Sequence, residues 1–167
     1  IYLDNAATSF PKPQSVIDAV TAQMKEIGGS AGRSSHQGGL ASSRLLYDTR
    51  CTISELIHAS DPLQISFTLN ATEALNLAIH GTLSSGDHVV TTSLEHNSVL
   101  RPLKNLEEKG VTHTIVWGDS EGHVDPSEIQ AAIQPHTRLL VVNHCSNVTG
   151  TVQPLAPLAA MARVHNL

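Results

Sequence analysis

The chain has 167 residues, of which 40% are hydrophobic and 15% charged, so it can bury the core of one domain or most of one. Its formal charge of −5 provides no basic stripe for a nucleic acid backbone, and no run approaches the roughly 20 apolar residues that span a bilayer. Its two cysteines form neither a disulfide framework nor a paired zinc motif. From these features together, we expect a cytoplasmic protein that binds no nucleic acid, membrane or metal.

The first 60 residues are predicted to form a helical segment with an opening strand. Apolar residues at helical spacing indicate two helices, and a loop rich in Gly and Ser, residues 28–39, separates them. This loop carries Arg33 and His36 between the two helices. The predicted elements are a strand at 1–5, a helix over 15–27 and a helix over about 40–58.

From residue 63 onward, short apolar segments alternate with helical patterns. Strands are predicted at 63–68, 88–93, 112–117 and 138–144, and helices at 72–83, 98–109, 127–134 and from about 155. This alternation predicts an α/β fold with a mostly parallel sheet and helices on both faces. Residues 61–167 would form the first part of this domain. Since a crossover helix normally leads to another strand, we expect the fold to be incomplete at the C-terminus and the natural polypeptide to be longer.

Polar motifs follow three of the predicted strands. They are NATE at 70–73, SLEHN at 93–97 and HCSNVTG at 144–150. Ligands of open α/β folds bind beyond the carboxyl ends of the strands. We therefore expect these three loops to meet at one crevice.

The NATEALN motif, residues 70–76, predicts the start of a helix with Thr72 or Asn70 as its N-cap. The unpaired N–H groups of the first helical turn, at the positive end of the helix dipole, would suit a phosphate. The glycine patterns of nucleotide-binding loops are absent, so a nucleotide is not implied. An ordinary capped helix is the competing interpretation.

Single residues in the other two loops offer further chemistry. His96 follows a strand end, where an imidazole can stack on a flat heterocycle or move a proton, although a surface histidine is the alternative among the ten in the chain. Asn147 can donate to an anionic oxygen, or it can cap the turn before Gly150. Cys145 beside His144 suggests a thiolate nucleophile, but a half-buried structural thiol is the favoured interpretation.

Taken together, four motifs resemble the class V aminotransferase family of pyridoxal-phosphate enzymes, especially the cysteine desulfurases. The resemblance covers the whole chain and implies the large domain of a fold type I enzyme. Its strongest segments are LDNAAT at 3–8, NATEALN at 70–76, SLEHNSVLRPL at 93–103 and HCSNVTGT at 144–151.

The resemblance implies roles for particular residues. His96 is the position of the family's catalytic histidine, which stacks on the cofactor ring, and Asn147 is the position of the asparagine that contacts its phenolic oxygen. The residues implied to hold the cofactor phosphate are Ala71, Thr72 and Glu73, and those implied to lie near the substrate are Ala7, Arg33 and His36.

The resemblance also implies functional groups that no residue of this chain matches. These are the lysine that forms the Schiff base with the cofactor, the aspartate on the pyridine nitrogen, the persulfide-forming cysteine and the substrate-binding arginine, all expected after Leu167. The four lysines present, Lys12, Lys25, Lys104 and Lys109, match none of these positions. We therefore expect the chain to be inactive by itself.

The implied reaction of the full protein converts L-cysteine to L-alanine and passes sulfur to an enzyme cysteine, which neither Cys51 nor Cys145 matches. A homodimer and a sulfur-acceptor protein are implied as partners. Selenocysteine lyase, aminotransferase or epimerase activity is an alternative within the same family. A non-catalytic binding or dimerisation module of the same fold is an alternative from another functional class.

Overall fold

The structure of the chain is a computed structural model that describes residues 1–33 and 35–167. Two compact units are present, Ile1–Phe67 and Thr68–Leu167. No helix within the described residues is long and apolar enough to cross a bilayer. The division of the chain after residue 60 stays a prediction.

The first unit contains two helices, α1 at Gln14–Glu26 and α2 at Gln37–Ile57, close to their predicted bounds. The Gly-rich loop between them packs tightly against the start of α2. A Cβ atom on Gly29 would lie 2.3 Å from the carbonyl carbon of Gly38, and the buried Ser42 hydroxyl donates to the Gly29 carbonyl at 2.5 Å. Only a residue without a side chain permits this backbone approach.

The opening residues do not form the predicted strand. The Tyr2 hydroxyl donates to the Asp4 carbonyl at 2.9 Å and to the Thr8 carbonyl at 3.1 Å, and the Asn5 side chain accepts the Phe10 N–H at 3.1 Å. These local bonds fold the segment on itself. The opening strand was a wrong prediction because a strand needs a neighbouring strand to pair with, and none pairs with this segment in the described parts of the chain.

The predicted strand at 63–68 is also wrong. A 3-10 turn at Pro62–Gln64 begins the segment, capped by the Asp61 side chain. Ile65, which follows it, is extended, but residues 65–68 pair with no strand among the described residues. Arg50 of α2 ties this stretch to the helix, since its Nε donates to the Ile65 carbonyl at 3.0 Å and its guanidinium carbon lies 5.8 Å from the centre of the Phe67 ring. Contacts with the helix replace the expected strand pairing.

The second unit is built on three parallel strands, β1 at His88–Thr92, β2 at Thr112–Val116 and β3 at Thr137–Leu140. Their order in the sheet is β2-β1-β3. All five residues of β1 are buried, as expected for the central strand of a parallel sheet. The third strand ends before its predicted bound, although the Val141 N–H still donates to the Val90 carbonyl at 2.9 Å.

Helices cover both faces of this sheet, which confirms the predicted fold class. They are α3 at Ala71–Thr82, α4 at Asn97–Glu107, α5 at Pro126–Ala132 and α6 at Leu155–Val164. Val89 belongs to a buried cluster with residues of α3 and α4, whereas Val90 belongs to another with residues of α5 and α6. Because adjacent residues of a strand point to opposite faces, the two clusters form separate layers.

Candidate active site

Two loops at the carboxyl end of the sheet enclose a cleft of about 310 Å³. One loop follows β1 and carries His96, and the other follows β3 and carries Asn147. Both side chains line the cleft, as expected from their positions after neighbouring parallel strands.

His96 is the N-cap of α4. Its Nδ1 accepts the backbone N–H of Ser98 at 3.1 Å and lies 2.8 Å from the Ser98 hydroxyl. A backbone N–H can only donate, so Nδ1 must be the unprotonated nitrogen and the neutral ring carries its proton on Nε2. The cap therefore sets both the tautomer and the orientation of an exposed imidazole.

The turn that carries Asn147 is held by its neighbour Ser146. The buried Ser146 hydroxyl accepts the N–H groups of Val148 and Thr149, each at 3.2 Å, and its carbonyl accepts the Gly150 N–H at 2.9 Å. Ser146 thus performs the turn-capping role that the sequence offered as an alternative for Asn147. The exposed Asn147 amide makes no hydrogen bond within residues 1–33 and 35–167, which leaves it available to a ligand.

The N-terminus of α3 supplies backbone donors beside the same histidine. Asn70 is the N-cap, since its side chain accepts the Glu73 N–H at 2.9 Å, and the Glu73 carboxylate accepts the Leu69 N–H at 2.7 Å. The cap thus uses both the backbone N–H and the side-chain carboxylate of Glu73. The N–H groups of Ala71 and Thr72 have no acceptor among the described residues, so they are the donors that the first turn offers.

Thr72 and His96 line a second cleft, also of about 310 Å³, between α3 and α4. Asn76, whose amide donates to the Thr72 carbonyl at 2.8 Å, borders it too. His96 is shared by the two clefts. The second unit therefore places the phosphate-type donors of α3, the imidazole and the Asn147 amide around one continuous region of its surface.

Glu95 also lines the first cleft, although its sequence position did not predict a role in the site. Its Oε1 accepts the Asn143 N–H at 2.7 Å and the Thr92 hydroxyl at 2.8 Å. Burial raises the pKa of the Glu95 carboxyl, and the hydrogen bonds from Asn143 and Thr92 offset part of that rise. Its position next to His96 at a strand end was the signal available in the sequence.

The three predicted substrate residues lie in the first unit. Ala7 is exposed in a turn, where its N–H donates to the Asp4 carbonyl at 3.2 Å. His36 is the N-cap of α2 and accepts the Gly39 N–H on Nδ1 at 3.3 Å, and Arg33 is exposed in the preceding loop. Their substrate-binding roles stay predictions.

The two lysines and the single cysteine of the second unit are not among the residues that line these clefts. Lys104 pairs with Glu107 on α4, and neither it nor Lys109 lines either cleft. Cys145 is exposed, with its thiol 3.7 Å from the Gly150 carbonyl. The expectation of a half-buried Cys145 was wrong because the third strand ends before this residue and leaves it in an open loop.

The model of the class V aminotransferase family matches residues 1–167. The chain belongs to this family. Curated relatives include a probable cysteine desulfurase of Methanothermobacter thermautotrophicus, 37% identical over 97% of this chain and 40% of the relative. The cysteine desulfurase IscS of Dictyoglomus turgidum is 33% identical over 100% of this chain and 43% of its own length. The chain thus spans about two fifths of the length of these relatives.

Solved structures of similar proteins show the same fold. The apo cysteine desulfurase of Thermococcus onnurineus superposes with a TM-score of 0.89 at 29% identity, over 99% of this chain and 42% of the other. A structure of SspA in complex with cysteine gives a TM-score of 0.89 at 28% identity, over 99% and 48%. The fold is therefore the parallel sheet and helix arrangement of fold type I pyridoxal-phosphate enzymes.

Proposed function

We propose that the full-length protein containing this chain is a pyridoxal-phosphate-dependent cysteine desulfurase, and that the second unit supplies half of its cofactor site. The observation that carries the proposal is the placement of His96 and Asn147 on one cleft, with the donors of α3 on the adjoining one. Relatives named as cysteine desulfurases support the choice of reaction.

The donor set fits pyridoxal phosphate. A phosphate needs N–H and hydroxyl donors in a positive field, which the Ala71 and Thr72 N–H groups, the Thr72 hydroxyl and the α3 dipole provide. A flat pyridine ring with an anionic oxygen needs an aromatic face and a neutral donor, which His96 and Asn147 provide. Glu73 would contribute by closing the helix cap, because its own donor is already used.

Each residue of this half-site has a task that its surroundings permit. Ser98 fixes the His96 ring through Nδ1, so the Nε2–H is the group that can hold or move a proton at the ligand. The Asn147 amide donates without changing charge, and the Ser146 turn keeps it in place. When bound, pyridoxal phosphate would supply an electron sink for bonds at the amino acid Cα.

We further propose the substrate, the acceptor and the partners. L-cysteine is the substrate, consistent with the related SspA structure that holds cysteine, and the sulfur passes to a cysteine thiolate elsewhere in the protein as alanine leaves. The Schiff-base lysine lies outside this sequence, so the chain alone is inactive. The protein acts as a cytoplasmic homodimer that hands sulfur to an acceptor protein.

The experiment uses the full-length protein loaded with pyridoxal phosphate and then freed of excess cofactor. We expect a long-wavelength absorbance band from bound cofactor and the release of one alanine for each sulfur transferred from L-cysteine. Asn147→Ala should weaken or shift the band, whereas His80→Ala, an exposed histidine of α3 outside both clefts, should leave band and turnover unchanged. A full-length protein that binds no cofactor would refute the proposal, and one that binds it but releases no sulfur would refute the reaction.

A further inference from the structure

We propose that Glu95 is a positioning residue that sets the spacing between the loop carrying His96 and the loop carrying Asn147. The inference rests on the proposed function only for its consequence, namely cofactor affinity. The structural part depends on hydrogen bonds within the second unit.

The Glu95 carboxylate joins the two loops through a single oxygen. Oε1 accepts the Asn143 N–H, which lies after β3, and the Thr92 hydroxyl, which ends β1. The Thr92 hydroxyl in turn accepts the Leu94 N–H at 3.3 Å. The Asn143 amide adds a longer bond of 3.4 Å to the Leu94 carbonyl. Glu95 thereby ties the end of one strand to the start of the neighbouring loop.

This link lies where the sheet no longer provides one. The last backbone bond between the two strands runs from the Val141 N–H to the Val90 carbonyl. Beyond it, the Thr91 hydroxyl donates to the Val141 carbonyl at 3.2 Å, still next to the strand end. Between the two loops themselves, the links in the described chain are the two bonds of Asn143, and the bond to Glu95, at 2.7 Å, is shorter than the bond to the Leu94 carbonyl, at 3.4 Å. Because both loops line the cleft, the length of the Glu95 link determines how far apart His96 and Asn147 are held.

A charged carboxylate can hold the two loops together even though it is half-buried. Half-burial disfavours its charge, as the raised pKa of Glu95 indicates. Charge-assisted hydrogen bonds are shorter and stronger than neutral ones, which matches the distances of 2.7 and 2.8 Å. The cost of burying the charge is offset by two donors, one of them a backbone N–H that would otherwise lose its acceptor.

The first test needs no cofactor. In the full-length apo protein, hydrogen–deuterium exchange in overlapping peptides over 141–149 should rise about tenfold or more at Asn143 in Glu95→Ala. Glu95→Gln keeps an acceptor oxygen and should stay near wild type, and Thr92→Val should give a smaller rise. Glu108→Ala, an exposed change at the C-cap of α4, the opposite end of that helix, should give none. Unchanged exchange in Glu95→Ala would overturn the proposal.

The second test asks whether the Glu95 link affects cofactor binding. Glu95→Ala should raise the dissociation constant for pyridoxal phosphate about tenfold, and Glu95→Gln should restore most of the affinity. Equal loss in both variants would overturn the role of Glu95 as an acceptor. If the wild-type protein bound no pyridoxal phosphate, the proposed function would fail. The exchange at Asn143 would still show whether Glu95 links the two loops.

Discussion

Nδ1 of the buried His88 imidazole lies 2.8 Å from the Thr137 hydroxyl, and this hydrogen bond joins β1 to β3. Its Nε2 lies 2.9 Å from the Thr114 hydroxyl of β2. One side chain therefore connects all three strands near the amino end of the sheet, away from the candidate site. Burial lowers the pKa of His88, and the nearby His136 and His113 lower it further.

This lowered pKa predicts that stability is lost in acid. The unfolded chain binds a proton at His88 near its ordinary pKa of about 6.5, whereas the folded chain resists it. The contribution of His88 is thus fully present above about pH 6.5 and decreases as the pH falls through the lower folded pKa. Urea unfolding of the full-length protein at pH 7.5 and 5.5 should show this loss.

The matched variant for the pH prediction is His88→Gln, whose amide can both donate and accept without titrating. We expect its loss of unfolding free energy between the two pH values to be about 1 kcal/mol smaller than that of wild type. His80→Ala, an exposed histidine, should retain the wild-type loss. An unchanged loss in His88→Gln would assign the acid sensitivity to other groups.

His96 should show two separable roles. His96→Ala removes the cap of α4 and should lower the unfolding free energy by about 1 kcal/mol. His96→Asn keeps a side-chain oxygen that can accept the Ser98 N–H, so it should retain most of that stability while losing turnover and altering the spectrum of bound cofactor. Urea unfolding and L-cysteine turnover, measured on the same preparations, separate the two effects. Wild-type turnover in His96→Asn would remove the imidazole from the site.

Several elements of the second unit were predictable because local and long-range signals agree there. β1 is a short run rich in β-branched residues between a turn at Gly86 and a polar loop, and that composition favours a strand. The position of His96 after β1, and that of Asn147 after β3, placed both on the same edge of a parallel sheet. The structure brings them to one cleft.

The failures share a physical cause. Residues 63–68 have the composition of a strand, but strand identity depends on a partner, and Arg50 of α2 bonds this segment instead. Glu95 was missed because a charged residue beside a strand end is usually solvated. In the folded chain, Asn143 and Thr92 both donate hydrogen bonds to its carboxylate. Contacts distant in sequence decided both cases, and periodicity does not report them.

The cap of α3 leads to a prediction about charge. The Glu73 carboxylate lies at the helix N-terminus, where it accepts the Leu69 N–H beside the proposed phosphate donors of Ala71 and Thr72. Glu73→Gln can still accept that N–H but removes a negative charge that would repel a phosphate. We therefore expect it to bind pyridoxal phosphate about two- to fivefold more tightly at low salt, with the gain reduced at high salt. Weaker binding in Glu73→Gln would mean that the carboxylate itself supports the cofactor.

Two adjacent glycines provide a matched pair for the first unit. A Cβ atom on Gly29 would overlap the backbone of Gly38, whereas one on Gly28 would meet nothing within 4 Å. Gly29→Ala should therefore force the loop away from α2 and break the bond from Ser42, at a cost of about 1–3 kcal/mol. Limited proteolysis of the full-length protein should cut residues 28–36 faster in Gly29→Ala than in wild type, and Gly28→Ala should match wild type. Equal cleavage in both variants would show that the close approach does not restrain the loop that carries Arg33 and His36.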